Sequence, residues 1–310
     1  MRIYFASDIH GSTTCFRKLV NAGRFYKVDY LIMGGDLSGK QLVPIVGAAS
    51  GWRSSFRGNT VELRSDEDVA AFEKQLAGVG CYTLRTSDEF VERLRADQSL
   101  VESTLHELIT ARTREWVTFA SERLEGSGIQ LYLGLGNDDF GDLVPYLDQD
   151  SVHYASEGVV PLEDFSLASC GWSNLTPWHT NRELSEQDLA ARIAELTEKT
   201  EPDRTIFNIH VPPYDSGLDS AARLDENLQI QLVGGQPDMV PVGSTAVRDA
   251  IADFQPLLSM HGHIHEGRGV LKLGRSTVVN PGSEYSEAAL LGVLLEVKPG
   301  QVKKCQLVAG

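Results

Sequence analysis

The sequence predicts an α/β fold, and three features carry that prediction. Near-continuous apolar runs, Arg2-Ile3-Tyr4-Phe5-Ala6, Tyr30-Leu31-Ile32-Met33 and Ile129-Gln130-Leu131-Tyr132-Leu133-Gly134-Leu135, have the length and composition of strands covered on both faces. Amphipathic stretches lie between such runs, with helix starts marked by Ser12, Ser65, Ser87 and Ser185. Towards the C-terminal end apolar strands such as residues 290–297 flank turns at Gly274-Arg275 and Pro299-Gly300; this is the pattern of hairpins.

The elements follow in order. The first strand ends at Ser7-Asp8-Ile9-His10-Gly11-Ser12, and Ser12 caps a helix to about Val20 with Phe16, Leu19 and Val20 on one face. The second ends at Gly34-Gly35-Asp36. Residues 41–128 are too many for a connection and must carry structure of their own. A hairpin over 52–64, turning at Arg57-Gly58-Asn59, precedes helices starting at Ser65 and Ser87. A long helix over 100–124 then places Val101, Leu105, Leu108, Ile109, Trp116, Phe119 and Ala120 at helical spacing. A single domain spanning 1–310 is therefore expected, with a mainly helical insertion or cap at about 41–128. That segment holds no catalytic motif, leaves His106 on a helix surface, and offers a face for a homo-oligomer.

The core resumes at Ile129 and runs into Gly136-Asn137-Asp138-Asp139. Residues 152–172 read as two strands turning near Pro161. Ser185 caps a helix bearing Leu189, Ile193 and Leu196, and Thr205-Ile206-Phe207-Asn208-Ile209 delivers His210 to the rigid Val211-Pro212-Pro213. A polar, Gly/Pro-rich loop over 215–242 and a helix around Val247, Ile251 and Phe254 lead to an apolar run, 254–260. That run reads as a short buried strand ending in Met260-His261-Gly262-His263-Ile264-His265.

At 310 residues the chain can bury a full core, as one large α/β domain or two smaller ones. The apolar fraction of 42% and charged fraction of 23% are those of an ordinary soluble globular protein. With 28 Lys and Arg against 43 Asp and Glu, the formal net charge is -15. Such a surface repels nucleic-acid backbones, which argues against a nuclease, whereas bound cations can still attract a compact anionic substrate. Cys15, Cys81, Cys170 and Cys305 lie far apart and read as buried thiols in a reducing compartment. Without an apolar leader or a bilayer-length stretch, a cytoplasmic protein with no membrane partner is expected.

The chemistry is at the strand tips. Asp8, His10, Asp36, Asn137, His210, His263 and His265 all follow or end apolar strands. Carboxylate, imidazole and amide donors together suit Mn, Fe, Zn or a similar divalent ion. The set suffices for two metals, and an Asp can bridge a pair about 3.5–4 Å apart. His-x-His taken alone occurs in unrelated metal folds, and His261 shares the parity of His263 and His265, so three imidazoles on one ion is a rival arrangement. Metallo-β-lactamase-like hydrolases use His-x-His-x-Asp-His, whereas Glu266-Gly267 follows His265 here, and cupins need a Glu near Arg268-Gly269. With other ligands available, His261 reads as a residue outside the metal shell. His153 and His179 read as ordinary polar residues, and Asp139 as a carboxylate orienting the Asn137 loop.

The order Asp8-Ile9-His10, Gly35-Asp36, Gly136-Asn137-Asp138-Asp139, His210 and Gly262-His263-Ile264-His265 resembles that of the calcineurin-like metallophosphoesterases. Asn280-Pro281-Gly282-Ser283 is similar to a turn in the smaller prokaryotic members. The resemblance covers the core and leaves 41–128 unexplained. It implies a two-sheet β-sandwich flanked by helices, in four layers α/β/β/α. It also implies two divalent metal ions, with Asp8, His10 and His265 on one, Asn137, His210 and His263 on the other, and Asp36 bridging. A metal-bridging hydroxide would then hydrolyse a phosphate ester without a covalent nucleophile.

Many members have His where this chain has Asp138. A partly solvated Asp is ionised at neutral pH, donates protons poorly, and repels a dianionic monoester more than a diester. The expected substrate is therefore a phosphodiester, small-molecule or nucleotide, with His10 or a metal-bound water as proton source and His10 and Asp138 as candidate catalytic residues. Asp138 facing away to cap its turn is the plainer alternative. A phosphomonoesterase or nucleotidase, a DNA nuclease and a non-catalytic scaffold are the competing functions.

Overall fold

The computed structural model describes all 310 residues. Two six-stranded sheets form its centre. The first runs Gln301–Ala309, Leu291–Lys298, Arg2–Ala6, Tyr30–Met33, Gln130–Leu133, Val152–Tyr154; the last four strands are parallel and the first two antiparallel. The second runs Gly269–Leu273, Ser276–Asn280, Leu258–Met260, Thr205–Ile209, Phe165–Cys170, Glu157–Leu162, parallel through its four central strands.

Strand parity decides what each residue packs against, because neighbours point to opposite faces. Ile3, Phe5 and Ile32 turn inward, meeting Leu167, Ile206, Leu258 and Met260 of the second sheet. Tyr4, Ala6, Leu31 and Met33 turn outward under helix α1 (Thr13–Tyr26). Leu189 and Ile193 of helix α5 (Glu186–Thr197) and Val247 and Ile251 of helix α6 (Thr245–Phe254) cover the second sheet. The result is a four-layer α/β/β/α sandwich.

Residues 41–128 hold three helices, α2 (Asp66–Gly78), α3 (Asp88–Ala96) and α4 (Gln98–Leu124), each capped by a side chain: Ser65, Ser87 and Asp97. Helix α4 belongs to the sandwich itself: Trp116 stacks on Phe16 of α1 at 4.5 Å, so most of its apolar stripe is core. The expected 52–64 hairpin forms, but within a four-stranded sheet ordered Asn59–Leu63, Gly51–Phe56, Gln41–Ala48, Cys81–Thr86. The strands at 41 and 81 were not legible. Pro44 argues against a central strand, yet pairing with the hairpin begins only at Ile45, so its missing N–H breaks no bond there.

Three smaller expectations change. Residues 152–172 make three strands, not two, and the turn falls at Glu163, which has a φ of 53°. The 254–260 run is mostly the end of α6 and a connector, with only Leu258–Met260 extended. The 215–242 loop contains short antiparallel pairs, Ser220–Ala222 with Met239–Pro241 and Leu232–Val233 with Gln236–Pro237. No helix is long and apolar enough to cross a membrane.

Candidate metal centre

The carboxyl ends of parallel strands from both sheets open on one edge of the sandwich. Arg2–Ala6 delivers Asp8 and His10, Tyr30–Met33 delivers Asp36, and Gln130–Leu133 delivers Asn137. From the facing sheet, Thr205–Ile209 delivers His210 and Leu258–Met260 delivers His263 and His265. Convergence at strand ends is thus a consequence of parallel topology.

The tips are backbone-strained and tightly tied. Asp8, His10, Asp36 and His263 have φ values of 57, 38, 51 and 66°, a region that non-glycine residues occupy only when their surroundings impose it. Asp8 N donates to Gly35 O at 3.0 Å, His10 N to Asp36 O at 3.0 Å and Gly11 N to Leu37 O at 2.8 Å, zipping the first two tips together. His263 N donates to both Asp8 oxygens, at 2.9 and 3.0 Å, joining the two sheets. Gly136 and Gly262 permit this crowding: a Cβ on the former would stand 2.1 Å from Asp36 Oδ1, and on the latter 2.2 Å from Asp8 Oδ2.

All seven expected ligands are brought together, in two sets. Asp8, His10 and His265 offer ligand atoms within 4.8 Å of one another, as do Asp36, His210 and His263. In the first set His10 Nε2 and His265 Nε2 face each other at 3.0 Å, with Asp8 Oδ1 3.7 Å from the latter. In the second, Asn137 Oδ1 lies 3.1 Å from His210 Nε2 and 2.8 Å from His263 Nδ1. Asp36 Oδ2 stands between the sets, 3.4 Å from His210 Nε2 and 3.6 Å from His10 Nε2.

The donor set fits divalent cations. Asn137 Nδ2 donates to Asp138 Oδ1 and Thr180 Oγ1, at 3.1 and 2.8 Å, which turns Oδ1 inward. His210 Nδ1 faces Gly34 O at 3.2 Å; with its proton there, Nε2 presents a lone pair to Asn137 Oδ1. Lone pairs that close need a cation among them, either a proton or a metal. Without metal the proton wins: burial works against a charge on His210, yet Asp36 and Asp8 push its pKa up to about 9. Asp36 is desolvated too, but His210 and His10 hold it well below the carboxylate range. His263 is brought down to about 4 by burial and by His210.

Asp138 departs from expectation. Its side chain is only 11% exposed and faces the site, with Oδ2 3.7 Å from His10 Nδ1 and Oδ1 2.5 Å from Lys40 Nζ. His10, Asp36 and Asp138 form a third close set. Burial and the Asp36 carboxylate push Asp138 up to about 7 in the metal-free protein, against Lys40. An Asp assumed partly solvated and fully ionised is instead enclosed beside another carboxylate.

Around this centre sit the holding groups. Asp139, fully buried, accepts from Leu37 N, Ser38 N and Gly136 N at 3.0, 2.7 and 2.8 Å, fixing two tips. Asn280 Nδ2 donates to Gly262 O and Ile264 O at 3.1 and 3.0 Å, and Ser283 Oγ to Asp8 O at 2.6 Å. His261 lies outside both sets: Nδ1 faces Ile209 O and Val211 O at 2.8 and 2.9 Å, and Nε2 faces Ser259 Oγ at 2.7 Å. His106 pairs with Asp142 and His153 with Gln130, and neither reaches the centre.

Sequence reasoning missed Lys40, Thr180 and Tyr285. Tyr285 lies against His10, ring centroids 4.8 Å apart. Only Lys40, four residues past Asp36, stood near enough along the chain to be suspected. The 41–128 segment also abuts the site: Arg112 donates to Gly11 O and Cys81 O at 2.9 and 2.8 Å, and Arg57 to Ser286 O at 3.2 Å.

Two crystal structures share this architecture over nearly their whole length. One, of TT1561 from Thermus thermophilus, covers 100% of this chain and 97% of that one, with a TM-score of 0.53 and 15% identity. Another covers 99% and 98%, with a TM-score of 0.56 and 14% identity. The likeness is one of fold, the four-layer α/β/β/α sandwich. This fold opens its parallel strand ends on the edge where the two ligand sets lie. In sequence, the uncharacterized protein MJ1162 of Methanocaldococcus jannaschii is 28% identical over 149 residues, 47% of this chain. The match spans 61% of that relative's length. No family model matches the chain.

Proposed function

We propose that this protein is a dinuclear metal-dependent phosphoesterase that hydrolyses phosphodiesters of small molecules or nucleotides. The position of Asp36 supports this most: one oxygen, Oδ2, is within 3.6 Å of a histidine nitrogen in each ligand set. A carboxylate so placed can serve two cations at once. Asp8, His10 and His265 would hold one ion and Asn137, His210 and His263 the other. When bound, a divalent pair supplies Lewis acidity toward phosphoryl oxygens and an activated water as nucleophile.

The chain's own residues do the rest. Asp139, Asn280 and Ser283 hold the strand tips still, so the ligands need little reorganisation when charge develops. His10, buried between Tyr285 and Asp138, has a nitrogen left over, Nδ1, to hold a proton. Asp138 places negative charge beside the centre, which disfavours a dianionic ester relative to a monoanionic one. Residues 41–128, touching the site through Gly80, Tyr82 and Arg57, are the natural cap over the substrate.

A phosphomonoesterase is the second reading, favoured by Lys40, whose ammonium offsets Asp138 and so lessens that repulsion. Metal analysis with a screen of matched aryl mono- and diesters after Mn reconstitution tests both. Turnover with a diester preference is expected. Two bound metals with no turnover of either ester would refute the reading.

A further inference from the structure

Lys40 is the lysine or arginine that pairs with a carboxylate of the site; every other Lys or Arg ion pair of the molecule lies elsewhere. Its backbone is pinned. Leu37 N and Ser38 N donate to Asp139, and Gly39 packs so closely that a Cβ there would stand 2.5 Å from both His10 O and Gly80 O. The side chain is free by contrast, 57% exposed, with one partner, Asp138 Oδ1 at 2.5 Å. A fixed root, an exposed stem and a charged end resting beside Asp138 are what an anion-capturing lysine requires.

The acceptor at rest is also telling. Asp138 Oδ1 takes Lys40 Nζ and Asn137 Nδ2 together, while Oδ2 lies 3.7 Å from His10 Nδ1. The ammonium is thereby parked at the junction of the two ligand sets, where a phosphoryl group spanning them would present a non-bridging oxygen. Asp36 and Asp138 both stand here, 3.6 and 3.7 Å from the nitrogens of His10. A substrate anion entering beside these carboxylates gains from a protein-borne cation on the open side.

We infer that Lys40 is a substrate-binding residue whose ammonium transfers from Asp138 to a non-bridging phosphoryl oxygen, with Asp138 as the positioning residue that holds it in readiness. The inference rests on the phosphoesterase reading, and its test reads binding, not turnover. Inorganic phosphate is titrated calorimetrically into the Mn-loaded protein, and Mn into the metal-free protein.

Lys40→Ala and Lys40→Met are expected to weaken phosphate about 10–100-fold while Mn binding stays within about threefold, since a charge-assisted hydrogen bond is lost and no ligand is. Lys40→Arg should keep most of the affinity. The loss should persist in an Asp138→Asn background, because the contact is with the anion. Unchanged phosphate affinity in both Lys40 variants, a loss that disappears with Asp138→Asn, or no phosphate binding by the Mn-loaded wild type would each overturn the inference. Wild-type protein that binds Mn and phosphate yet turns over no ester would overturn the enzymatic reading alone and leave the Lys40 contact measurable.

Discussion

His210 and His261 hold the same turn of backbone from opposite sides. The carbonyls flanking His210, those of Ile209 and Val211, both face His261 Nδ1, at 2.8 and 2.9 Å, while the His210 ring points the other way into the centre. His261 therefore aims His210 into the centre while lying outside both sets. The physical reason is accounting: a strand tip that ends in a ligand has carbonyls no sheet neighbour can satisfy, and a buried imidazole N–H satisfies two.

That relationship predicts a stability phenotype. His261 is fully buried, so His261→Ala should cost about 2–4 kcal/mol through a cavity and the lost hydrogen bonds. Burial, opposed only in part by the two carbonyls, brings its pKa down to about 4. The unfolded chain then binds a proton first as pH falls. Stability from this residue is complete above about pH 6.5 and is lost as pH drops towards 4, by at most about 3 kcal/mol. Urea denaturation of wild type and His261→Gln between pH 4 and 7 checks it; an equal pH dependence in both would refute it.

Metal uptake should release protons. His210 carries one in the metal-free protein up to about pH 9, held by Asp36 and Asp8 against the cost of burial. A metal must displace it, so apparent Mn affinity should rise with pH below 9, by up to about tenfold per unit for one proton. Calorimetry in buffers of different ionisation heat counts the protons, and His210→Ala should lower the count.

His263 and His265 should separate the two ions. They are two residues apart but face different ligand sets, Asn137 and His210 for one, His10 and Asp8 for the other. Each alanine variant is expected to lower turnover more than about a hundredfold and to reduce bound metal from two per chain towards one. Elemental analysis of each variant decides; full metal content with either histidine removed would refute the two-set assignment.

Asp138 should tune ester preference. Asp138→His removes negative charge beside Asp36 and puts an imidazole in its place. Monoester hydrolysis is expected to rise relative to diester hydrolysis, by about tenfold for a difference near 1.4 kcal/mol. The ratio of kcat/KM values on matched aryl esters is the measurement, and an unchanged ratio would sink the charge argument.

The parts legible in the sequence are local ones. A strand announces itself by five apolar residues, and Asp8, Asp36, Asn137 and His210 are found because each stands just beyond such a run. Helix starts at Ser12, Ser65, Ser87 and Ser185 were legible for the same reason, since a cap bonds only two or three residues ahead. Pro44 hid one strand, and Cys81–Thr86 went unread beside it, because their pairing partners lie forty residues apart in sequence.

Proximity and dielectric came only with the packed molecule. Nothing in the order of residues says that Thr180 turns Asn137, that Tyr285 covers His10, or that one oxygen of Asp36 stands between two ligand sets. Nor could it say that Asp138 is enclosed beside Asp36 and Lys40, where burial pushes its pKa up to about 7 in the metal-free protein. Residue order was enough to place these side chains at strand ends, because backbone pattern is a short-range property. Packing two sheets face to face set which of those ends meet and how poorly water reaches them, and protonation follows from that.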